Sequence, residues 1–545
     1  MTKTSGPFLP TLFYAALAVL AIPCVALLFT ETYLSLASRI CGIILPVTAY
    51  WLILSLSRNT GRTVWWLFFF IFLSAFQIVL LYLFGCGPIS VDMFLNILTT
   101  NTGEVFELLG NLLTAITTVV VLYIPVLVGA TMAVRKGMRA KEDFVRRQRR
   151  MAVKAFVVAC SATMICAVSV PTFSLKNDIF PINACYNLLM AIQRAYATGH
   201  YKETSADFRF EAKAEHDSDE REVYVLVVGE TARASHFGVY GYSRNTTPRL
   251  AQMDGLTVFR DVMSQSNTTH KSVPMLLSSV SATDYDSIYH RKGIIAAFRE
   301  AGFKTAFLSN QKRNHSFIDF FGDEADRTIF IRDSVPDGHN VMDRALLGYV
   351  KKVLEDGDDK LLIVLHTYGS HFTYNERYAA DDSYFRPDND MSARRENRAC
   401  LVNAYDNTIR ETDRLLAELV DILNYCGCSA AMLYTSDHGE DIFDDGNAFL
   451  HASPRPSFHQ LNVPLLVWTS ETYATNHPEI RKTLAANSRQ QVSTSVSVFH
   501  TMLHLAGVST PYRNDSMSVA SPKYSPAPRL YLDDHNCPRP LSEFF

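Results

Sequence analysis

Three short segments place acids and imidazoles directly behind apolar runs. "AAMLYTSDHGED" carries Asp437, His438 and Glu440; "VYVLVVGETAR" carries Glu230; "LLIVLHTYGSH" carries His366 and His371. Each apolar run reads as a short strand buried on both faces, so these polar residues fall at strand ends. Glu, Asp and His gathered at one place form an oxygen and nitrogen donor set that suits zinc without any cysteine. Read alone, Asp437 and His438 would equally serve as a base and its orienting partner. A fourth segment, "SQSNTTHKSVPMLLSS" (264–279), is rich in hydroxyls and leads into a helical pattern. A helix N-terminus there would turn backbone N–H groups and a positive dipole end toward an anion. A hydroxyl held by a metal ion at that point would ionise near neutral pH and attack phosphorus or sulfur. On these grounds Ser266, Thr268, Thr269 and Ser272 are equivalent, and an ordinary helix cap would have the same composition.

The elements that must position these residues are legible as alternation. Candidate strands at 223–228, 305–309, 361–366, 430–435 and 464–469 are separated by helix-like stretches, of which 397–424 is the longest. That order predicts a mostly parallel sheet with helices on both faces, and such sheets gather ligands at the carboxyl ends of their strands.

The first third is different in kind. Five apolar stretches, roughly Phe8–Thr30, Ile40–Leu56, Val64–Phe84, Leu112–Val134 and Ala152–Val170, are long enough to cross a bilayer. The first is too long, and its flank too weakly basic, for a cleaved signal peptide. Arg58 and Arg62 follow the second stretch, and the basic run "RKGMRAKEDFVRRQRR" (135–150) follows the fourth. Positive loops stay in the cytosol, so five spans put the N-terminus inside and the residues after about 170 outside. The expected organisation is a five-helix membrane domain (1–172), a bridging helix and linker (173–221, with "NACYNLLMAIQRAYATGHY" helical) and a periplasmic α/β domain (222–545). A net charge of −3 gives no reason to expect nucleic acid. The ten cysteines have neither zinc-ribbon spacing nor the density of a disulfide framework.

In combination, five spans followed by "GETAR", "NTTHKSVP", "HTYGSH", "SDHGE" and "LHASP" resemble the membrane-bound phosphoethanolamine transferases of the lipid A and polymyxin-resistance type. Their outer domain belongs to the alkaline phosphatase/sulfatase-like superfamily. The resemblance spans essentially the whole chain, and "SDHGE" alone would indicate only the superfamily. It implies that Thr269, five residues before Pro274, is the nucleophile, and that Glu230, Thr269, Asp437 and His438 hold one tight zinc ion. It also implies that His371, His451 and Glu440 bind the phosphoryl group or a second metal, with His459 a rival to His451. Asn96, Thr100 and Glu104, at helical spacing in "SVDMFLNILTTNTGEVFEL", resemble residues for the ethanolamine lipid.

The implied reaction is ping-pong: phosphatidylethanolamine loads Thr269, and lipid A or a nearby lipopolysaccharide sugar accepts the group. The cell surface then becomes less negative and binds cationic peptides less well. A monomer among membrane lipids is expected. Two cysteines that flank the threonine in the lipid A branch are here Gln265 and Met275, and the His438-to-His451 spacing is one residue longer, which loosens the acceptor assignment. Rival readings are a glycerol-phosphate-type transferase acting on a glycan, a zinc phosphatase or sulfatase that only hydrolyses, and a non-catalytic membrane sensor. His366 reads as a packed histidine, and His500 and His504 as members of an amphipathic helix. His270, Lys271 and Asn310 to Lys312 are weaker candidates for the pocket lining.

Overall fold

The computed structural model describes residues 7–99, 102–216, 220–336, 339–444, 446 and 448–545, with side chains for all of these except 98, 99 and 102–111. Two compact units emerge. One comprises the chain up to Leu95 with Leu108–Gln193 and Ser453–Arg455; the other comprises Asn96–Glu107, Arg194–Ala452 and Pro456–Phe545.

The first unit is helical. Its helices are α1 (Phe8–Thr30), α2 (Leu36–Leu54), α3 (Thr60–Trp66), α4 (Phe68–Phe84), the first part of α5 (Val91–Thr99), the part of α6 (Thr102–Arg135) from Leu108 onward, and α7 (Glu142–Ser169). Among the described residues, α1, α2, the Leu112–Arg135 part of α6, and α7 are long and apolar enough to span a membrane. The expected third span is instead the pair α3 and α4, bent by 60° at Leu67, so the described residues hold four spans, or five if the bent pair is one. Its sequence, "VWWLFFF", is uninterrupted in hydrophobicity and holds neither proline nor glycine at the break. α7 leaves Val157, Val158, Met164, Ile165 and Val168 exposed, an outer face suited to lipid tails. The two basic loops meet at one end of the bundle. Arg58 Nε donates to the Ala140 carbonyl at 3.0 Å, and Arg149 reaches the carbonyls of Ser55 and Leu56 at 3.0 and 2.7 Å. Loops that meet this way lie on the same side of a bilayer.

The helix expected across 183–201 is α8 (Ile182–Gly199). The sheet begins at Glu222, the residue after the expected linker. The second unit is built on seven strands: β1 (Glu222–Gly229), β2 (Leu256–Phe259), β3 (Lys304–Ser309), β4 (Arg327–Phe330), β5 (Lys360–His366), β6 (Ser429–Ser436) and β7 (Leu465–Thr469). Their order is β2-β7-β6-β1-β5-β3-β4. The five strands from β6 to β4 run parallel, with β1 between β5 and β6. β7 pairs antiparallel with both β6 and β2. β1 and β6 are buried at every position, as a central parallel strand requires. Two helices matter for the site: α9 (Thr269–Leu276) and the long α10 (Arg398–Cys426). All ten cysteines are free.

Candidate metal and nucleophile site

β1, β5 and β6 end side by side, which brings Glu230, the "TYGSH" loop and Asp437-His438 to one edge of the sheet. The Asp437 amide donates to the Gly229 carbonyl at 3.1 Å, so the two strand ends are tied where the acids emerge. Gly369, at φ +51°, sits against Glu230; a Cβ there would come within 2.5 Å of the Glu230 carbonyl oxygen. Only glycine permits that approach in that conformation. Glu230, Asp437 and His438 are 1%, 0% and 0% exposed.

Thr269 is the first residue of α9, with Thr268 capping in an extended conformation. Its Oγ1 stands 3.1 Å from Glu230 Oε1 and 3.1 Å from His438 Nε2. His438 Nε2 lies 3.4 Å from Glu230 Oε1 and 3.3 Å from Asp437 Oδ2. Glu230, Thr269, Asp437 and His438 thus converge on one point.

The four hydroxyls that composition could not separate now differ. Ser266 and Thr268 hydrogen-bond each other at 3.1 Å. Ser272 Oγ donates to Asp437 Oδ2 at 2.8 Å, so it orients a carboxylate. Of the four, Thr269 is the one whose hydroxyl contacts both Glu230 and His438.

Electrostatics favour a cation at this point. Burial, and then the neighbouring Asp437, raises Glu230 to about 7; burial raises Asp437 to about 6. Burial, then His451, lowers His438 to about 3 and keeps its ring neutral. Its Nδ1 lies 2.9 Å from the Gly439 carbonyl, which places the proton there and leaves the Nε2 lone pair facing Thr269. A divalent ion among these donors would offset the cost of burying two carboxylates. The donor set therefore fits a metal of the zinc type.

Around this core stand residues the sequence had set one step out. His451 lies with its ring 4.2 Å from that of His438, and it shares a possible ligand cluster with Glu230 and His438. Its Nδ1 is 3.2 Å from Glu440 Oε1. Burial works against protonation of His451, but Glu440, Glu230 and Asp437 together outweigh it and the net shift is upward. His371 stacks on Tyr368 and lies 6.1 Å, ring to ring, from His451. His459 holds its ring against Phe458, while its backbone carbonyl packs on Gly439. His366 meets Ser309 at 3.1 Å inside the sheet, as a packed histidine would. Lys271 is buried and donates to the Asp533 carbonyl at 3.0 Å. Asn96 is half-buried on α5, whereas Thr100 and the Glu104 side chain lie outside the described residues.

Sequence reasoning missed several supports. Tyr374, fully buried, donates to Glu440 Oε2 at 2.7 Å. Gln311, by contrast, was among the weaker pocket candidates, and its Nε2 donates to Glu230 Oε2 at 3.2 Å. Asp343 accepts the Tyr368 and Gly369 amides, both at 2.8 Å, and so holds the loop that packs on Glu230. Arg233, the last residue of "GETAR", is 1% exposed and donates to the Glu440 carbonyl at 3.0 Å and to Asp444 Oδ2 at 2.6 Å. Only that motif's position beside a strand end hinted at Arg233. The others come from remote loops. Of the two residues noted on either side of the threonine, Gln265 accepts the Ala282 amide at 2.9 Å, and Met275, within α9, is buried in the core.

A mostly parallel sheet with buried acids, an imidazole and a hydroxyl at the start of a helix at its carboxyl edge defines an alkaline phosphatase/sulfatase-like domain joined to membrane-spanning helices. The chain belongs to the Sulfatase family, which matches residues 222–508, just over half of its length. Among its relatives is the phosphoethanolamine transferase EptA of Escherichia coli strain K12, 31% identical over 303 residues, covering 53% of this chain and 54% of the relative. The chain thus spans about half the length of the curated relatives it matches. Among solved structures, the C-terminal periplasmic domain of Escherichia coli EptC in complex with Zn superposes with a TM-score of 0.56. It is 25% identical and covers 61% of this chain and 95% of that one. The integral membrane lipooligosaccharide phosphoethanolamine transferase A of Neisseria meningitidis covers 95% of this chain and 98% of its own, at a TM-score of 0.74 and 22% identity, a likeness of fold.

Proposed function

We propose that this protein transfers phosphoethanolamine from phosphatidylethanolamine to lipid A, or to a nearby lipopolysaccharide sugar, through a covalent phosphothreonine at Thr269. The observation that carries the reading is the position of Thr269 Oγ1, 3.1 Å from both Glu230 and His438 at the start of a helix. The names of the relatives support the donor group and the acceptor class.

Glu230, Thr269, Asp437 and His438 would hold one zinc ion. When bound, it supplies a Lewis acid that favours the ionised threonine hydroxyl and balances phosphoryl charge. In the first half-reaction Thr269 Oγ1 forms a bond to phosphorus, and the bond from phosphorus to the diacylglycerol oxygen breaks. That oxygen needs a proton, and His451, whose charged form Glu440 favours, would give it. In the second half-reaction the acceptor oxygen forms a bond to phosphorus as the bond from phosphorus to Thr269 Oγ1 breaks, and the now neutral His451 takes the acceptor's proton. Ser272 fixes Asp437, and Tyr374 fixes Glu440, so neither carboxylate rotates as charge develops. His371, His451 and Glu440 would bind the phosphoryl group, and the resemblance assigns the ethanolamine head group to Asn96, Thr100 and Glu104.

The catalytic domain is periplasmic in this reading, with the joined basic loops of the bundle in the cytosol. A less anionic surface and resistance to polymyxin follow from the product. Mass spectrometry of lipid A and glycans from cells expressing wild type or Thr269→Ala tests the proposal. A phosphoethanolamine mass increase on lipid A that needs Thr269 supports it. A glycerol-phosphate increase on a glycan, or diacylglycerol release with no modified acceptor, overturns it.

A further inference from the structure

A second cluster of metal-binding side chains lies at the opposite edge of the sheet. Glu222 opens β1, whereas Glu230 follows its last residue. Seven steps of about 3.3 Å put the two edges roughly 23 Å apart. His216 Nδ1 stands 3.2 Å from Glu222 Oε1. The His216 ring lies face to face with that of His477, centroids 4.3 Å apart and planes inclined by 22°. One ligand atom from each of His216, Glu222 and His477 falls within 4.8 Å of the others.

Three features fit this cluster to a cation rather than to a simple ion pair. Glu222 is 1% exposed, and a desolvated carboxylate gains most from a charge at close range. Two imidazoles stacked at this distance cannot both carry a proton without repulsion, so at most one can neutralise the acid. Burial, then His216, lowers the proton affinity of His477, and the neutral ring is the form that binds metals. Third, the chain leaves room for the ring of His216. Gly507, at φ +56°, faces it so closely that a Cβ would meet His216 Cδ2 at 2.2 Å. The surroundings also hold His216 in place: Tyr224 Oη is 3.4 Å from Nδ1, and Lys360 Nζ donates to its carbonyl at 2.9 Å.

We propose that His216, Glu222 and His477 form a second binding site, separate from the Thr269 site, for a divalent transition metal of the zinc class. Two imidazoles and one carboxylate are a donor set zinc accepts, with water completing four-coordination. The three ligands come from three places in the chain: the segment preceding β1, the first residue of β1, and the junction of the helices Glu471–Asn476 and Pro478–Asn487. A metal there staples the segment leading into the catalytic domain onto its sheet.

The test uses the full-length chain in detergent, stripped of metal and titrated with Zn²⁺ alone while bound metal is counted by elemental mass spectrometry. Wild type takes up one equivalent more than either His216→Asn or His477→Gln. An Asp437→Asn/His438→Gln chain, which lacks the first site, still binds one. In that chain, adding His477→Gln weakens Zn²⁺ binding by more than about 100-fold, beyond the 10–100-fold typical of losing an outer-shell partner. Substitution of Co²⁺ gives a visible d–d spectrum that disappears with the same change. Equal stoichiometry in wild type and both single variants overturns the proposal, as does an Asp437→Asn/His438→Gln chain that binds no metal. The last chain keeps the test decisive even if the histidine variants fold poorly.

Discussion

Arg233→Met should destabilise the catalytic domain and disorder the site together. The guanidinium is almost completely buried, bonded to Asp444 at 2.6 and 3.3 Å and to the Glu440 carbonyl at 3.0 Å, with its plane 5.7 Å from the Tyr405 ring. Removing one partner of a buried pair costs about 3–5 kcal/mol, mainly because the other charge stays behind. Here Arg398 remains at 2.6 Å from Asp444, so the lower figure of about 3 kcal/mol applies. At about 2 °C per kcal/mol for a domain of this size, the melting temperature falls by about 6 °C. Although burial opposes it, the bond from Arg233 holds the Asp444 carboxyl well below the usual carboxylate range. A depressed folded pKa contributes stability that is full above the unfolded value near 4 and is lost as pH falls through the folded value. The gap between wild type and variant should therefore narrow below about pH 4. Thermal melts of the full-length chain from pH 3 to 8, with Asp444→Asn and the double variant completing a cycle, measure this. A loss under about 1 kcal/mol, or a gap independent of pH, refutes the assignment of Arg233 as the buried tie beneath Glu440.

Tyr374→Phe leaves a buried Glu440 oxygen short of a donor, a deficit of about 1–3 kcal/mol, so the melting temperature should fall by about 2–6 °C and turnover by about 10-fold; an unchanged kcat removes Tyr374 from the site. Burial raises Glu324 to about 7 despite bonds from the Gly293 amide at 2.9 Å and the Tyr201 hydroxyl at 3.3 Å. The folded state then binds the extra proton, so stability falls as pH rises from about 4.5 to about 7, and Glu324→Gln should flatten that slope in pH-dependent melts. Chelation should abolish transfer and lower the melting temperature, and Zn²⁺ at 100 times its dissociation constant should restore about 2.7 kcal/mol. Full activity in metal-free protein would contradict the role given to Glu230, Asp437 and His438.

Much of the site was legible because strands buried on both faces are continuous apolar runs, and the polar residue that ends each run is conspicuous. The expected strand at 430–435 is β6, and Asp437 and His438 follow it directly. β2 and β4 were not legible: each has four residues, mostly half-buried at the edges of the sheet, so neither forms an apolar run. The antiparallel direction of β7 leaves no mark on "PLLVW". The bend at Leu67 falls inside an unbroken aromatic stretch, and composition cannot register it. Tyr374, Gln311, Asp343 and Ser272 act through contacts between remote segments, and only the fold brings those together. The choice among four hydroxyls likewise needed coordinates, because Ser266, Thr268 and Ser272 have the same chemistry as Thr269 but different partners.

The central claim is that Thr269 Oγ1 carries the transferred group. The direct measurement is peptide mass spectrometry of the full-length chain incubated with phosphatidylethanolamine and no acceptor. A phosphoethanolamine mass on Thr269, absent from Thr269→Ala and discharged when lipid A is added, is the predicted result. An adduct on another residue, or transfer proceeding in Thr269→Ala, would contradict it.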